Sequence, residues 1–293
     1  MKILYVVGEG IGNQIQALPG LIYAKKKYKE VIVWNAIQHT AWVTDYIFGN
    51  FAEIWSNGEH DPPDGLLFTC PCWDIPTNDI PVFNAIDKKR NLRCSEVEYN
   101  LAVVDDQYTD NDFIVNFGVG PDITSWRVPD ILLHNGYSKV SDYAKQRWEA
   151  KGYLYYEQLA KELKKQGYTV GSIGTNDEYI RGTVNHTGLS IAYTQSFIEQ
   201  TKLLIANDTG TYHLANLVDT PNIVLFTFTD WRKSYDDRFH RQARIISAEY
   251  ECQPCQFKDS RKDYWMENKH RCKWKCREID VKAILAAVEE ILG

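Results

Sequence analysis

The 293-residue sequence predicts an α/β protein built from two doubly wound domains. Three observations lead there. Short apolar runs end in glycine or in a polar Asn-Asp pair and pass directly into helical patterns. This alternation occurs in two series. An acidic, polar stretch, Asp105 to Asp112, separates them as a linker. The expected domains are therefore residues 1–110 and 111–293.

Lys2–Val7 is a short apolar run ending at Gly8, the pattern of a buried parallel strand. Gln14 to Lys27 follows with Ile15, Leu18, Leu21, Ile22 and Ala24 near a 3.6-residue period, and Pro19 predicts a kink or a late helix start. Glu30 to Asn35 is a second strand. The proline-rich stretch from Asn57 to Asn91 reads as loops and short edge elements. Phe113–Phe117 is expected to open the second series as a strand. It is followed by helix Tyr155–Gln166, strand Tyr168–Ile173, helix Thr194–Lys202, strand Leu203–Ala206, helix Thr211–Val218 and strand Asn222–Phe226. Asp280–Leu292 is an amphipathic terminal helix, with Val281, Ile284, Leu285, Val288 and Ile291 on one face.

Composition narrows the function. A formal charge of -6 excludes a globally basic nucleic-acid binder, and no apolar run approaches the ~18 residues of a membrane span. With no signal-peptide core at the N-terminus, a cytoplasmic location is expected, and seven cysteines there suggest thiols or metal ligands before disulfides. The first loop, Gly8-Glu9-Gly10-Ile11-Gly12-Asn13, lacks the third glycine of a dinucleotide fingerprint, and Asn35 stands where its acidic residue belongs. No Walker-type phosphate loop occurs. The informative block is Leu203 to Ala215. A buried strand runs into Asp208-Thr209-Gly210 and at once into a helix, whose free N–H groups and positive dipole end suit a diphosphate. Thr209 and Thr211 add hydroxyls, and His213 in the first turn is placed to give a charge-assisted bond; simple helix capping is the competing role.

Gly10-Ile11-Gly12-Asn13-Gln14-Ile15 with Leu18-Pro19, and Asn207-Asp208-Thr209-Gly210 with His213-Leu214-Ala215, resemble the heptosyltransferase-like glycosyltransferases of family 9. Arg147-Trp148, Val170 to Gly174, and Leu225-Phe226 with Thr229-Asp230 extend the resemblance over nearly the whole chain. It implies the GT-B fold, two facing Rossmann-like domains. It also implies inverting, metal-independent transfer of a sugar from a nucleotide diphosphate sugar to a bacterial glycan or lipopolysaccharide-type acceptor. On the donor side the candidates are Gly12, Arg147, Asp177, Asp208, Thr209, Gly210 and His213, with Asp177 or Glu178 on the ribose and Arg147, or Lys145 beside it, standing in for a lysine that the resemblance places at Gln146. Relatives carry an aspartate, the presumed general base, where this chain has Asn13. An amide cannot take the acceptor proton. Glu9 in the same loop, or Asp122 after the Phe113–Phe117 strand, is then the candidate base, with His39 next and Asn13 left to orient the acceptor.

Cys252-x-x-Cys255 and Cys272-x-x-x-Cys276 have the spacing of a structural zinc site with four cysteine ligands, in a hairpin spanning 252–276; free thiols or two disulfides are the alternatives. Basic residues and aromatic rings alternate along that hairpin, a composition suited to phosphate backbones and unstacked bases. Two other readings stay open on these grounds. One is a phage-type glycosyltransferase acting on a hydroxymethylated DNA base; the other is a non-catalytic sugar-nucleotide-binding protein. A metal-dependent GT-A enzyme is disfavoured because its D-x-D signature, Asp110-Asn-Asp112, falls in the linker.

Overall fold

The computed structural model describes residues 2–7, 10–35, 40–56, 66–69, 95–137, 148–248, 250–251, 253–254 and 273–293. The chain divides into two compact units. The first is Met1–Asn116 together with Arg232–Arg241, and the second is Phe117–Trp231 with Gln242–Gly293. The chain thus returns to the first unit for ten residues, a crossing that the division at 110/111 did not foresee.

The first unit holds β1 (Lys2–Val7), α1 (Ile11–Lys27), β2 (Glu30–Asn35), α2 (Ala41–Phe48), β3 (Glu53–Ser56), β4 (Leu66–Thr69) and α3 (Glu96–Ala102). Its strands are all parallel, in the order β3-β2-β1-β4. Helix α1 starts at Ile11, earlier than expected, and continues through Pro19. It packs on α3 so closely that Gly20 lies against the Asn100 carbonyl and the Tyr5 hydroxyl, leaving no room for a side chain. Its two buried glutamines bond to neighbouring elements. Gln14 accepts from Thr44 at 2.9 Å, and Gln16 donates to Glu96 at 2.8 Å.

The second unit holds β5 (Ile131–His134), α4 (Tyr156–Lys165), β6 (Val170–Gly174), β7 (Val184–Thr187), α5 (Ile191–Gln200), β8 (Leu203–Asn207), α6 (Gly210–Leu217), β9 (Asn222–Phe226), β10 (Ala243–Ser247) and α7 (Val281–Leu292). Its six parallel strands run β7-β6-β5-β8-β9-β10, which is the 3-2-1-4-5-6 order of a doubly wound sheet. Alternate residues Ile131, Leu133, Leu203, Ile205, Ile223 and Leu225 pack on Leu159, Leu163, Ile284 and Val288 of α4 and α7. Helix α6 contacts β8 and β9, where Tyr212 meets Phe226 edge-on at 6.2 Å. A sheet buried on both faces is why these strands read as unbroken apolar runs. At the strand starts, the Asp130 carboxylate takes bonds from the Thr169 N–H (2.8 Å), the Thr169 hydroxyl (2.6 Å) and Lys202 (2.8 Å). The Lys202 and Thr169 bonds hold this carboxyl far below the usual range.

Two expectations are corrected. Phe113–Phe117 is not a strand: Phe113 ends a 3-10 turn, Asp110–Phe113, and β5 at Ile131–His134 opens the second sheet instead. Phe113 is fully buried under the Arg238 guanidinium, 3.8 Å from its ring, so its apolar character serves the first unit's core. The stretch Asp105 to Asp112 is not a free linker either, because its acids pair with α1. Lys26 meets Asp112 at 2.5 Å and Lys27 meets Asp105 at 2.9 Å. Among the described residues no helix is long and apolar enough to cross a membrane.

The returning segment is fastened by charge. Asp236 is buried and receives a forked bond from Arg238 (2.9 and 2.8 Å) and the Ser95 hydroxyl (2.6 Å). Burial alone would raise the Asp236 carboxyl, but Arg238 and Ser95 bring it below the usual carboxylate range. A carboxyl lowered on folding stabilises at pH above its unfolded value, and that contribution is lost as pH falls through the folded one. Asp236→Ala is therefore expected to cost ~2–3 kcal/mol at pH 7, because Arg238 and Ser95 both lose their buried partner and Arg238 keeps only its longer pairs with Glu98 and Asp110. The difference from wild type in urea unfolding should shrink below about pH 4.

Candidate functional site

The informative geometry lies at the carboxyl ends of β5 and β8, the neighbouring strands where the strand order reverses. Asn207 ends β8 fully buried. Its amide donates to the Gly136 carbonyl (3.1 Å), and its side-chain oxygen accepts from the Tyr156 hydroxyl (3.0 Å) and the Tyr153 N–H (3.3 Å). The Tyr156 hydroxyl also lies 2.9 Å from the His134 carbonyl, which its proton can reach instead. Burial pushes both tyrosine hydroxyls well above the ordinary value, so both stay neutral.

Asp208 follows, nearly buried, and pairs with Lys151 at 3.1 Å; the same ammonium donates to the Asp208 carbonyl at 2.9 Å and sits 4.9 Å from the Trp148 ring centre. Thr209 is the N-cap of α6, with no side-chain capping bond; its hydroxyl turns instead toward Thr211 (3.0 Å) and His134 (3.2 Å). The helix N-terminus therefore keeps its first N–H groups for other partners. Capping, the competing role for this turn, is not what the Thr209 side chain does.

His213 differs from expectation. It is buried, stacked on Tyr212 at 4.1 Å, and burial, reinforced by Lys151, drives its pKa well below the ordinary value. A neutral ring replaces the expected charged partner, so it can give a hydrogen bond but no charge. Asp177 lies on the surface in the turn Asn176–Glu178, where Thr175 donates to it at 2.5 Å. Glu178 faces inward beside His134, a placement its sequence context did not signal.

In the first unit Gly12 and Asn13 occupy the first turn of α1, both half-buried. Asp122 is exposed and accepts from the Thr124 N–H at 2.8 Å, which lowers its pKa. With no strand at Phe113–Phe117, the strand-end argument for Asp122 lapses, and a lowered carboxylate is a weaker base. Glu9, His39, Lys145, Arg147, Cys252, Cys255 and Cys272 lie outside the described residues, as does the loop joining the cysteine pairs. Cys276 is buried among Ala150, Phe228 and Trp274. Among the described residues no cluster of three His, Cys, Asp or Glu side chains is placed to hold a metal.

Residues 138–266 match the model of glycosyltransferase family 9 (heptosyltransferase), a span that includes the whole β8–α6 turn. The segment that carries this turn is therefore similar to the heptosyltransferase family. The fold of the chain agrees over nearly its full length. It is similar to a family 9 glycosyl transferase from Veillonella parvula DSM 2008, with a TM-score of 0.58, 12% identity, and 99% of this chain and 97% of that one covered. It is also similar to E. coli ADP-heptose lps heptosyltransferase II, with a TM-score of 0.52, 14% identity, and 92% and 98% covered. The iron-containing dodecameric glycosyltransferase TibC from enterotoxigenic E. coli H10407 gives a TM-score of 0.66 at 12% identity, with 99% of this chain and 76% of that one covered. No curated protein sequence matches the enzyme.

The Lys151–Asp208 pair supports the turn. Lys151→Met should leave a buried carboxylate uncompensated and destabilise the enzyme by ~2–3 kcal/mol, read as a lower urea midpoint with an unchanged slope.

Proposed function

We propose that the chain is an inverting, metal-independent, cytoplasmic glycosyltransferase that moves a sugar from a nucleotide diphosphate sugar to a hydroxyl on a bacterial glycan or lipopolysaccharide-type acceptor. One observation carries this reading. The Asp208-Thr209-Gly210 turn presents an uncapped helix N-terminus at the sheet's switch point, within the segment that matches family 9. The donor class follows the relatives: TibC has been solved with ADP-D-beta-D-heptose.

As the glycosidic bond breaks, negative charge gathers on the departing diphosphate. N–H groups of Thr209 and Gly210 already aimed at that charge lower the barrier without reorganising, and Arg147 supplies the cation a metal would otherwise provide. His213 adds a neutral hydrogen bond, and Asp177 binds the ribose hydroxyls. On the acceptor side the attacking hydroxyl has a pKa far above 7, so its proton must leave as the new bond forms. Glu9 is the proposed base and Asn13 holds the oxygen in line. Cys252, Cys255, Cys272 and Cys276 are proposed to bind one structural zinc.

Release of nucleoside diphosphate from ADP-, UDP- and GDP-sugars, followed with and without EDTA and with core oligosaccharide, tests the assignment. Turnover that survives EDTA supports it, and turnover restored only by a divalent cation overturns metal independence. Thr209→Val is expected to weaken nucleoside diphosphate binding by ~0.5–1.5 kcal/mol, and His213→Ala by a similar amount because its ring is neutral. Glu9→Gln should lower kcat by about 10² to 10⁴ with donor affinity retained, whereas Asp122→Asn should turn over normally.

A further inference from the structure

His134 ends β5 beside the β8–α6 turn and is 7% exposed. Its Nδ1 lies 2.8 Å from the Thr211 hydroxyl and 3.2 Å from that of Thr209, and its Nε2 lies 3.4 Å from the Glu178 carboxylate. The backbone is shaped around this pair. A Cβ on Gly136 would stand 2.5 Å from Nε2 and 2.6 Å from each Glu178 oxygen. Gly174, at φ 128, likewise has no room for one beside Glu178.

A carboxylate facing Nε2 draws the ring proton to that nitrogen, so the neutral ring can only accept at Nδ1. Thr211 then gives its one proton inward to Nδ1, and Thr209 gives its own to Thr211 or to the Asn207 carbonyl 3.3 Å away. Both hydroxyls turn lone pairs outward, which repel an anion. A proton added at Nδ1 reverses the chain. The imidazolium donates to Thr211, and the hydroxyl protons become free to point at a phosphate oxygen.

We propose that His134 is a positioning residue that takes up a proton from solvent when the donor diphosphate binds, with Glu178 as its counter-charge and Thr209 and Thr211 as the hydroxyls it reorients. The proposal rests on the donor-site reading above. Other titratable groups nearby are already committed. Tyr156 of α4 reaches the His134 carbonyl and not the ring, Lys151 and Asp208 pair with each other, His213 is held neutral, and Asp177 is exposed. A ligand that favours the protonated ring binds with uptake of a proton, so its affinity falls as pH rises.

Calorimetry with ADP-glucose, UDP-glucose and GDP-glucose tests this, because a diphosphate bridged between two sugars carries no titrating proton near neutrality. Titrations of the full chain at pH 7, in buffers of different ionisation heat, count the protons taken up. Wild type is expected to take up a fraction of one proton and to lose affinity as pH rises, by up to about tenfold per pH unit. His134→Gln should bind with no uptake and a flat pH profile, and Glu178→Gln should reduce the uptake. Binding by wild type without proton uptake, or uptake that persists in His134→Gln, overturns the proposal alone. Failure of all three nucleotide sugars to bind overturns the donor-site reading, and this proposal with it.

Discussion

The second unit depends on how Asn207 fills the gap where β5 and β8 part. The two strands run side by side, but α4 and α6, the helices that follow them, cover different regions of the sheet. Where neighbouring strands diverge, the ladder ends and backbone groups lose their partners. Leaving one such group unsatisfied and buried costs ~1–3 kcal/mol. Asn207 offers a donor and an acceptor on one short side chain, and it binds the Gly136 carbonyl, the Tyr153 N–H and the Tyr156 hydroxyl together. Three segments are thereby fixed to one point. His134, Thr209 and Thr211 inherit their positions from that attachment.

Much of this arrangement was legible in the sequence where one signal dominated. Leu203–Ala206 (one residue short of the observed β8), Asn222–Phe226 and the amphipathic C-terminal helix came from apolar periodicity, and burial on both sheet faces explains why that signal was clean. The β8–α6 turn was visible because Asp208-Thr209-Gly210 interrupts an apolar run at a helix start. The signal failed where burial came from elsewhere. Phe113 reads as a strand residue because it is apolar, yet it is apolar to lie under Arg238, more than a hundred residues away in the chain. The acids from Asp105 to Asp112 read as a solvated linker, although their partners are the lysines that end α1. His134 and Glu178 carry no motif. Only the approach of Gly136 and Gly174, residues from two different strand ends, reveals the pair.

The β8–α6 turn is also frugal with charge among its described residues. Its one described ammonium, Lys151, is already engaged by Asp208, while His213, Tyr156 and Asn207 contribute neutral polar groups. Neutral donors held rigidly lose less on desolvation than charged ones, and they favour a ligand that brings its own charge.

The return of Arg232–Arg241 to the first unit has a consequence for how the chain is made. Ser95 and Glu98 are synthesised early, but Asp236 and Arg238, which bind them, emerge only after nearly all of the second sheet has been translated. At ~5–20 residues per second the nascent first unit waits on the order of ten seconds for its last segment. Through that interval Phe113 lacks its guanidinium cover and Glu98 lacks its cation. The ribosome therefore releases the two units in an interleaved order: the second can finish most of its sheet while the first is still open, and no single proteolytic cut separates them as whole pieces.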